Sequence, residues 1–154
     1  MNGPFDDPSC DMSEASWEAK MSFDGVHEEM LVALHGDGTP VRSRWTYRAA
    51  EPYAVTVAFQ AGPGRWVEWV FARDIIDAGL VGSAGLGDVR IRPERTLEHS
   101  VVVLEISSPE GEARLELDLR SVAAFLDATA AIVPLGEEED YLDIDGLIDE
   151  LTRV

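Results

Sequence analysis

Hydrophobic and polar residues alternate along most of the chain, which is the pattern of strands that bury one face. In the stretch that begins at Val41, apolar or small positions alternate with arginines, so one face of that strand is basic. Similar alternation predicts strands that begin near Met30, Val41, Tyr53, Trp66, Val89, Val101 and Ala113. Because short turns rich in glycine, proline and aspartate separate these stretches, they predict an antiparallel meander of about seven strands.

Helices are predicted where the period of the apolar residues changes. Asp74 is expected to cap a short mid-chain helix that stops at Gly79, and residues 82–88 are expected to form a flexible loop. Over residues 119–133 the apolar positions recur at steps of three and four, which predicts an amphipathic helix that ends at Pro134. The apolar face of this helix must cover one face of the sheet, so the predicted fold class is α+β.

The fourth predicted strand differs from the others because it is apolar on both faces. Val67, Trp69 and Phe71 lie on one face, and Trp66 and Val70 lie on the other. Burial on two sides requires a cover on each side, and the carboxy-terminal helix can supply only one cover. A neighbouring subunit is the expected second cover, so the sequence predicts a homo-oligomer.

The negative charge of the chain is concentrated at its two ends. The formal net charge is −18, and residues 1–30 and 137–154 each carry eight acidic residues against one basic residue. Residues 1–22 combine acidic residues with turn formers and predict a disordered acidic leader, and residues 23–136 form the expected domain. Strong acidity disfavours binding to nucleic acid and to anionic membranes, and it favours basic surfaces of other proteins.

Residues 137–154 are predicted to form an acidic linker and a short amphipathic helix. Their large apolar side chains form a stripe that consists of Tyr141, Leu142, Ile144, Leu147, Ile148 and Leu151. Since a helix this short is marginal alone, the stripe is expected to dock either on a partner groove or on its own assembly. The stripe is the candidate partner-binding site, and both alternatives stay open.

Cysteine content and hydropathy bear on the compartment. Cys10 is the only cysteine in the sequence, so no disulfide can form within the chain, which favours a reducing cytosol. No apolar run approaches the roughly 18 residues of a membrane-spanning helix, and the amino terminus lacks the order of a signal peptide. A cytoplasmic protein without direct membrane insertion is expected.

No arrangement of residues in the sequence indicates an enzyme or a bound cofactor. The glycines of residues 82–87 lack both the lysine of a phosphate-binding loop and a following helix. His27 and His35 would lie about 26 Å apart on one extended strand, so they cannot share a metal ion there. Since no nucleophile lies in a recognisable catalytic context either, we expect no catalytic residue, no metal and no cofactor.

Five arginines could line one outer face of the sheet, namely Arg42, Arg44, Arg48, Arg90 and Arg92. Arginine combined with aromatic side chains suits single-stranded nucleic acid. The competing interpretation is that these arginines form ion pairs with acidic residues of neighbouring strands. Because residues 31–136 hold fourteen acidic residues against ten arginines, the ion pairs are favoured.

Several motifs resemble those of the SsgA/SsgB family of actinobacterial sporulation and cell-division proteins. They are Glu51-Pro-Tyr-Ala-Val55, Val67-Glu-Trp-Val-Phe-Ala-Arg-Asp74, Gly87-Asp-Val-Arg90 and Ser107-Ser-Pro-Glu-Gly111, in family order and with near-family spacing. The resemblance covers about residues 22–151, and the tail that begins at Tyr141 resembles the SsgB branch. Ile91-Arg92-Pro93 departs from the family's usual Val-Trp-Pro, which bears on the paralogue rather than on the family.

The resemblance implies a Whirly-like fold and a cytoplasmic homo-oligomer, a trimer, that acts at the division septum. Its implied role is a non-enzymatic adaptor that positions septa by recruiting or stabilising the tubulin-like division GTPase FtsZ, with family paralogues as further partners. The family motif residues are expected to serve the structure or an oligomer interface: Trp66, Trp69, Phe71, Arg73, Asp74, Gly87 and Asp88. The alternative is a regulatory module that binds single-stranded nucleic acid, an analogy that rests on the shared fold.

Overall fold

The computed structural model describes residues 25–95 and 98–141. The strands are β1 (Gly25–Leu34), β2 (Pro40–Arg48), β3 (Ala54–Gly62), β4 (Arg65–Ala72), β5 (Ala84–Leu86), β6 (Val89–Arg95), β7 (Ser100–Ser108) and β8 (Gly111–Asp118). The other elements are the helices α1 (Arg73–Gly79) and α2 (Leu119–Ile132) and the 3₁₀ turn η1 (Glu138–Tyr141). The α+β class is therefore confirmed for the described part of the chain.

The strands form one antiparallel sheet in the order β4-β3-β2-β1-β8-β7-β6-β5. Strands β1 to β4 are one meander and strands β5 to β8 are a second, and the two meet where β1 pairs with β8. The edge strands β4 and β5 both contribute to one small cleft, through Val70 and Leu86 among other residues. The sheet is thus curled, so that its two edges approach each other.

The strand count corrects the sequence prediction, because the described residues contain eight strands rather than about seven. The additional strand, β5, lies within residues 82–88, which were expected to be a flexible loop. It is three residues long and pairs with β6 around a turn at Gly87, whose φ of 60° is left-handed. A strand this short, flanked by glycines, carries too few side chains to show a period of two.

Two element boundaries also differ from the prediction. β1 begins at Gly25, five residues before Met30, and its early residues pair with β2 although His27, Glu28 and Glu29 are exposed. Asp74 does not cap α1, because Ala72 holds the N-cap position, without a side-chain cap, and Asp74 lies in the first turn. Pairing with β2, rather than the polarity of its own residues, therefore determines where β1 begins.

The predicted amphipathic helix is confirmed as α2. It begins after Asp118, whose carboxylate accepts a hydrogen bond from the backbone N–H of Ser121 at 3.0 Å, as an N-cap residue does. Its buried face packs on the sheet, where the Phe125 ring meets the Trp45 ring edge-on with 5.5 Å between centroids. Trp45 is 1% exposed. α2 therefore covers one face of the sheet.

The arginine face of β2 is confirmed, and two of its arginines contact an acidic residue of β1. Ser43 and Trp45 are buried, whereas Arg42 and Arg44 are exposed and contact Glu29 of β1 at 3.2 and 3.9 Å. This pairing agrees with the ion-pair interpretation of the arginines. Among residues 25–95 and 98–141, no helix has the length and apolar character needed to cross a membrane.

Candidate interaction surface

The aromatic run of the family motif lies on β4, an edge strand that pairs with β3 in the described sheet. Phe71 is buried, and its ring stacks with the half-buried Trp69 ring with 6.2 Å between centroids. On the other face, the guanidinium of Arg44 lies 4.0 Å from the centroid of the Trp66 ring. Val70, on that same outer face, is 62% exposed, so within residues 25–95 and 98–141 this apolar face of β4 is only partly covered.

Arg73 of the motif is buried completely, with 0% of its surface exposed. Its Nη1 donates to the carbonyl oxygen of Val133 at 2.7 Å and to the hydroxyl of Thr129 at 3.3 Å. Its Nη2 donates to the Glu138 carboxylate at 2.8 Å, and its guanidinium lies 4.9 Å from the centroid of the Tyr47 ring. Arg73 therefore connects α1, the end of α2 and η1.

The Arg73 contacts shift the ionisation of their neighbours. The hydrogen bond from Arg73 holds the pKa of Glu138 below its ordinary value of 4.5. Burial raises the pKa of Tyr47, and the charge of Arg73 opposes that rise. The sequence prediction assigned Glu138 to a charged linker, whereas it is 8% exposed and closes a buried ion pair. The only local signal for this pairing was a single arginine between an apolar strand and a helix.

A polar and aromatic surface lies next to this ion pair. Tyr53 is 47% exposed and Tyr141 is 40% exposed, and desolvation, followed by the charges of Glu139 and Glu138, raises the pKa of Tyr53. Tyr141 is the one member of the predicted apolar stripe that the described residues include. The other members, Leu142, Ile144, Leu147, Ile148 and Leu151, lie outside the described residues, as does the predicted leader, residues 1–22.

A second apolar surface follows the two edge strands. Val70 of β4, Val81 after α1 and Leu86 of β5 are 62%, 87% and 75% exposed. Gly87 and Asp88 of the family motif form the turn between β5 and β6, where the Asp88 carbonyl accepts a hydrogen bond from the Ser107 N–H at 3.0 Å. The motif residues thus fall into two groups, those that hold the fold together and those that border this edge.

An apolar groove opens beside the first half of β4. Its apolar lining includes Phe59, Val67, Trp69, Ile106 and Leu115, with Arg42 and Glu112 at its polar margin. Val67 is 38% exposed within it. Grooves of this composition suit apolar side chains from another chain.

Comparison with known proteins identifies the family. Residues 41–138 match the family model described as the Streptomyces sporulation and cell division protein SsgA. The chain is 44% identical over 124 residues to the sporulation-specific cell division protein SsgB of Saccharopolyspora erythraea, a match that covers 80% of this chain and 85% of that protein.

The chain belongs to the SsgA family. A second family member, SsgB of Streptomyces coelicolor, is 44% identical over 115 residues, which covers 75% of this chain and 84% of that protein. The resemblance seen in the motifs is thereby confirmed. The SsgA family is described by its role in sporulation and cell division rather than by a reaction, and the named relatives are cell division proteins.

Solved structures of family members share the fold. One, described with mutations in SsgB that correlate to longitudinal cell division during sporulation of Streptomyces coelicolor, superposes with a TM-score of 0.73 at 42% identity and covers 76% of this chain and 94% of that chain. Another, an SsgA-like sporulation-specific cell division protein from Thermobifida fusca, superposes with a TM-score of 0.75 at 35% identity, covering 84% and 97%. The curled antiparallel sheet with its helices is therefore the fold of the family.

Proposed function

We propose that this SsgA-family protein is a non-enzymatic adaptor in sporulation-specific cell division. In this proposal it acts as a cytoplasmic homo-oligomer, a trimer, at the division septum, where it positions septa by recruiting or stabilising FtsZ. Family paralogues would be further partners. Support comes from the family relationship and from a structural feature of the chain, namely how its acidic and apolar carboxy-terminal segment is attached to the domain.

The attachment of this segment is the observation that carries the proposal. The Arg73–Glu138 ion pair, 2.8 Å between nitrogen and oxygen, fixes η1 against the domain. η1 ends at Tyr141, which is exposed. The predicted apolar stripe, whose first residue is Tyr141, would therefore continue from a fixed point on the surface, and its acidic flanks would suit a partner groove with a basic rim.

The structure shows how to test this segment without disturbing the domain. Deletion of residues 137–154 would remove Glu138 and leave Arg73 buried without its carboxylate, so it would confuse stability with recruitment. Deletion of residues 142–154 keeps η1 and its ion pair. We expect this shorter deletion to change Tm by less than about 2 °C, because the Arg73–Glu138 ion pair stays in place, and to abolish co-sedimentation with FtsZ polymers.

A point variant in the full chain provides a sharper test. Replacing Leu147→Ser and Ile148→Ser removes apolar area from the stripe, and the matched control Asp145→Asn with Asp149→Asn changes only its acidic flank. Loss of FtsZ binding in the apolar variant, with binding merely slowed in the acidic control, would support the proposal. A large fall in Tm with unchanged FtsZ affinity in the folded fraction would show that the stripe packs on its own subunit instead.

Single-stranded nucleic-acid binding is supported less well by the structure. On the outer face, Arg92 donates to Glu105 at 2.9 Å, and Arg42 and Arg44 contact Glu29. Arginines neutralised by glutamates release fewer counterions from phosphates. Binding to single strands that weakens steeply with added salt would restore this alternative.

A further inference from the structure

The two meanders of the sheet are joined by its shortest strand pairing. β1 and β2 pair at nine register positions, whereas β1 and β8 pair at two positions, Ala33 with Glu116 and Leu34 with Leu115. One further backbone bond follows, from the His35 N–H to the Arg114 carbonyl at 2.8 Å. Among the described residues, the β1–β8 pairing therefore has few backbone hydrogen bonds, although it joins two meanders of four strands each.

Three side chains that can ligate a metal ion converge at this joint. They are His35 from the turn after β1, Glu116 from β8 and Glu94 from β6, and one ligand atom of each lies within 4.8 Å of the others. His35 Nδ1 and Glu116 Oε2 are 2.7 Å apart. All three side chains are partly buried. Glu94 and Glu116 come from strands, which hold their side chains more rigidly than a loop does, and the His35 N–H is held by the Arg114 carbonyl.

A buried apolar residue lies on the face of the sheet that carries this cluster. Val103 pairs with Glu116 on β8 and with Arg92 on β6, so it shares the face of the sheet that carries the cluster. Its exposure is 0%. A site above buried valine has a lower local dielectric than open surface, which strengthens both the repulsion of like charges and the attraction of a cation.

The charges around the cluster leave two carboxylates close together. Arg92 contacts Glu94 at 3.5 Å, but its shorter contact, 2.9 Å, is with Glu105. The Arg114 Nε also lies 3.7 Å from the same Glu105 carboxylate oxygen. Arg92 is thus shared between Glu94 and another acid, and one carboxylate oxygen each of Glu94 and Glu116 lie within 4.8 Å of one another. A cation between them would relieve this repulsion.

We propose that His35, Glu94 and Glu116 form a binding site for a divalent transition metal, Zn²⁺. One imidazole nitrogen and two carboxylate oxygens are ligands that Zn²⁺ accepts, and the imidazole disfavours Mg²⁺ and Ca²⁺. Bond lengths of about 2.0–2.1 Å require ligand atoms roughly 3.3 Å apart, which rotation of the glutamate side chains can reach. Histidine spacing along one strand, on which the expectation of no metal rests, does not bear on residues that come from three separate elements.

Bound Zn²⁺ is expected to stabilise the short pairing between β1 and β8. A metal ion bound by His35 and Glu116 would cross-link the end of β1 to β8, and Glu94 would add β6 to this cross-link. Because the metal would bind the folded chain and not the separated strands, it would raise stability by mass action. This proposal does not depend on the adaptor function.

The test is titration of the full-length chain carrying Cys10→Ser with ZnCl₂ and, separately, with MgCl₂. The Cys10→Ser change removes the thiol as a competing ligand. Calorimetry should give one tight Zn²⁺ per chain, and Zn²⁺ at a hundredfold excess over Kd should raise Tm by about 5–10 °C. Glu94→Gln and, independently, His35→Asn should each weaken this binding by more than about tenfold, since even supporting contacts around a metal are worth that much.

Matched controls separate this site from weak binding to the acidic ends of the chain. His27→Asn removes another histidine of β1, and Glu112→Gln removes another outward acid of β8; both should keep the tight site and the Tm increase. With Co²⁺ in place of Zn²⁺, a visible spectrum of nitrogen and oxygen ligation should appear and be lost in Glu94→Gln. The proposal would be overturned if Glu94→Gln had the same Zn²⁺ affinity and the same Tm increase as the unmutated chain. It would also be overturned if the chain bound no Zn²⁺ tightly.

Discussion

The buried ion pair between Arg73 and Glu138 gives the most specific prediction about stability. Arg73 is 0% exposed and its carboxylate partner has a side chain that is 11% exposed. Replacing Glu138→Ala removes the 2.8 Å hydrogen bond to Nη2 and leaves a buried positive charge without its counter-ion. The variant should fold, but with a substantially smaller free energy of unfolding.

The magnitude follows from the contacts that remain. Removing one partner of a buried ion pair typically costs about 3–5 kcal/mol. In Glu138→Ala, Arg73 keeps the Val133 carbonyl and the Thr129 hydroxyl as acceptors, and the vacated position can admit water. We therefore expect a loss of about 2–3 kcal/mol, which corresponds to a fall in Tm of roughly 5–10 °C for a domain of this size.

A double-mutant cycle isolates the pair from other effects of each substitution. Glu138→Ala, Arg73→Met and the double variant would be unfolded in urea, with Glu139→Ala as the matched control for an exposed acid one residue away. The coupling energy between Arg73 and Glu138 should be about 1–3 kcal/mol, and the control should stay within about 0.5 kcal/mol of the unmutated chain. Glu138→Ala within that same margin would refute the reasoning.

The same ion pair predicts a dependence on pH. The folded-state pKa of Glu138 lies below its ordinary value of 4.5, so the carboxylate is bound more tightly in the folded chain than the carboxylic acid. Its stabilisation is therefore complete well above pH 4.5 and is lost as the pH falls from there through the folded-state pKa. The Tm difference between the unmutated chain and Glu138→Gln should shrink as the pH is lowered through this window.

Two further predictions concern packing and assembly. A Cβ at Gly79 would overlap the Ile91 side chain, whereas a Cβ at Gly82 would meet open space. In urea unfolding, Gly79→Ala should therefore lower the free energy of unfolding by about 1–2 kcal/mol, and Gly82→Ala should leave it nearly unchanged. Equal effects of the two substitutions would contradict the packing. Val70→Glu on the exposed edge should dissociate the predicted homo-oligomer toward the 16.9 kDa monomer, whereas the equally exposed Leu31→Glu should not. Light scattering measures this, and an unmutated chain that is monomeric at every concentration would reject the oligomer.

Elements with a clear local period were predictable from the sequence. The alternation over β2 and β3 and the three- and four-residue steps of α2 each record which side of the element faces the core. Every second residue of a strand and one stripe of a helix are buried, so the periodic placement of apolar residues in the sequence identifies these elements. The arginine face of β2 was predictable for the same reason.

The position of β4 in the sheet was not predictable in this way. Its apolar residues on both faces are typical of a central strand, yet β4 lies at an edge of the sheet that residues 25–95 and 98–141 form. Whether a strand is central depends on the order of all strands, which adjacent residues do not encode. The short β5 was missed because three residues, two of them alanine and glycine, carry almost no periodic signal.

The polar clusters were decided by the tertiary structure alone. Arg73 and Glu138 are 65 positions apart, and His35 and Glu116 are 81 positions apart, so neither spacing resembles a local motif. Each pair meets because the two meanders join at β1 and β8 and because α2 returns the chain to the start of α1. Local sequence determines which face of an element is buried, whereas contacts between distant polar residues depend on which elements become neighbours, and that is settled by packing the whole sheet against its helix.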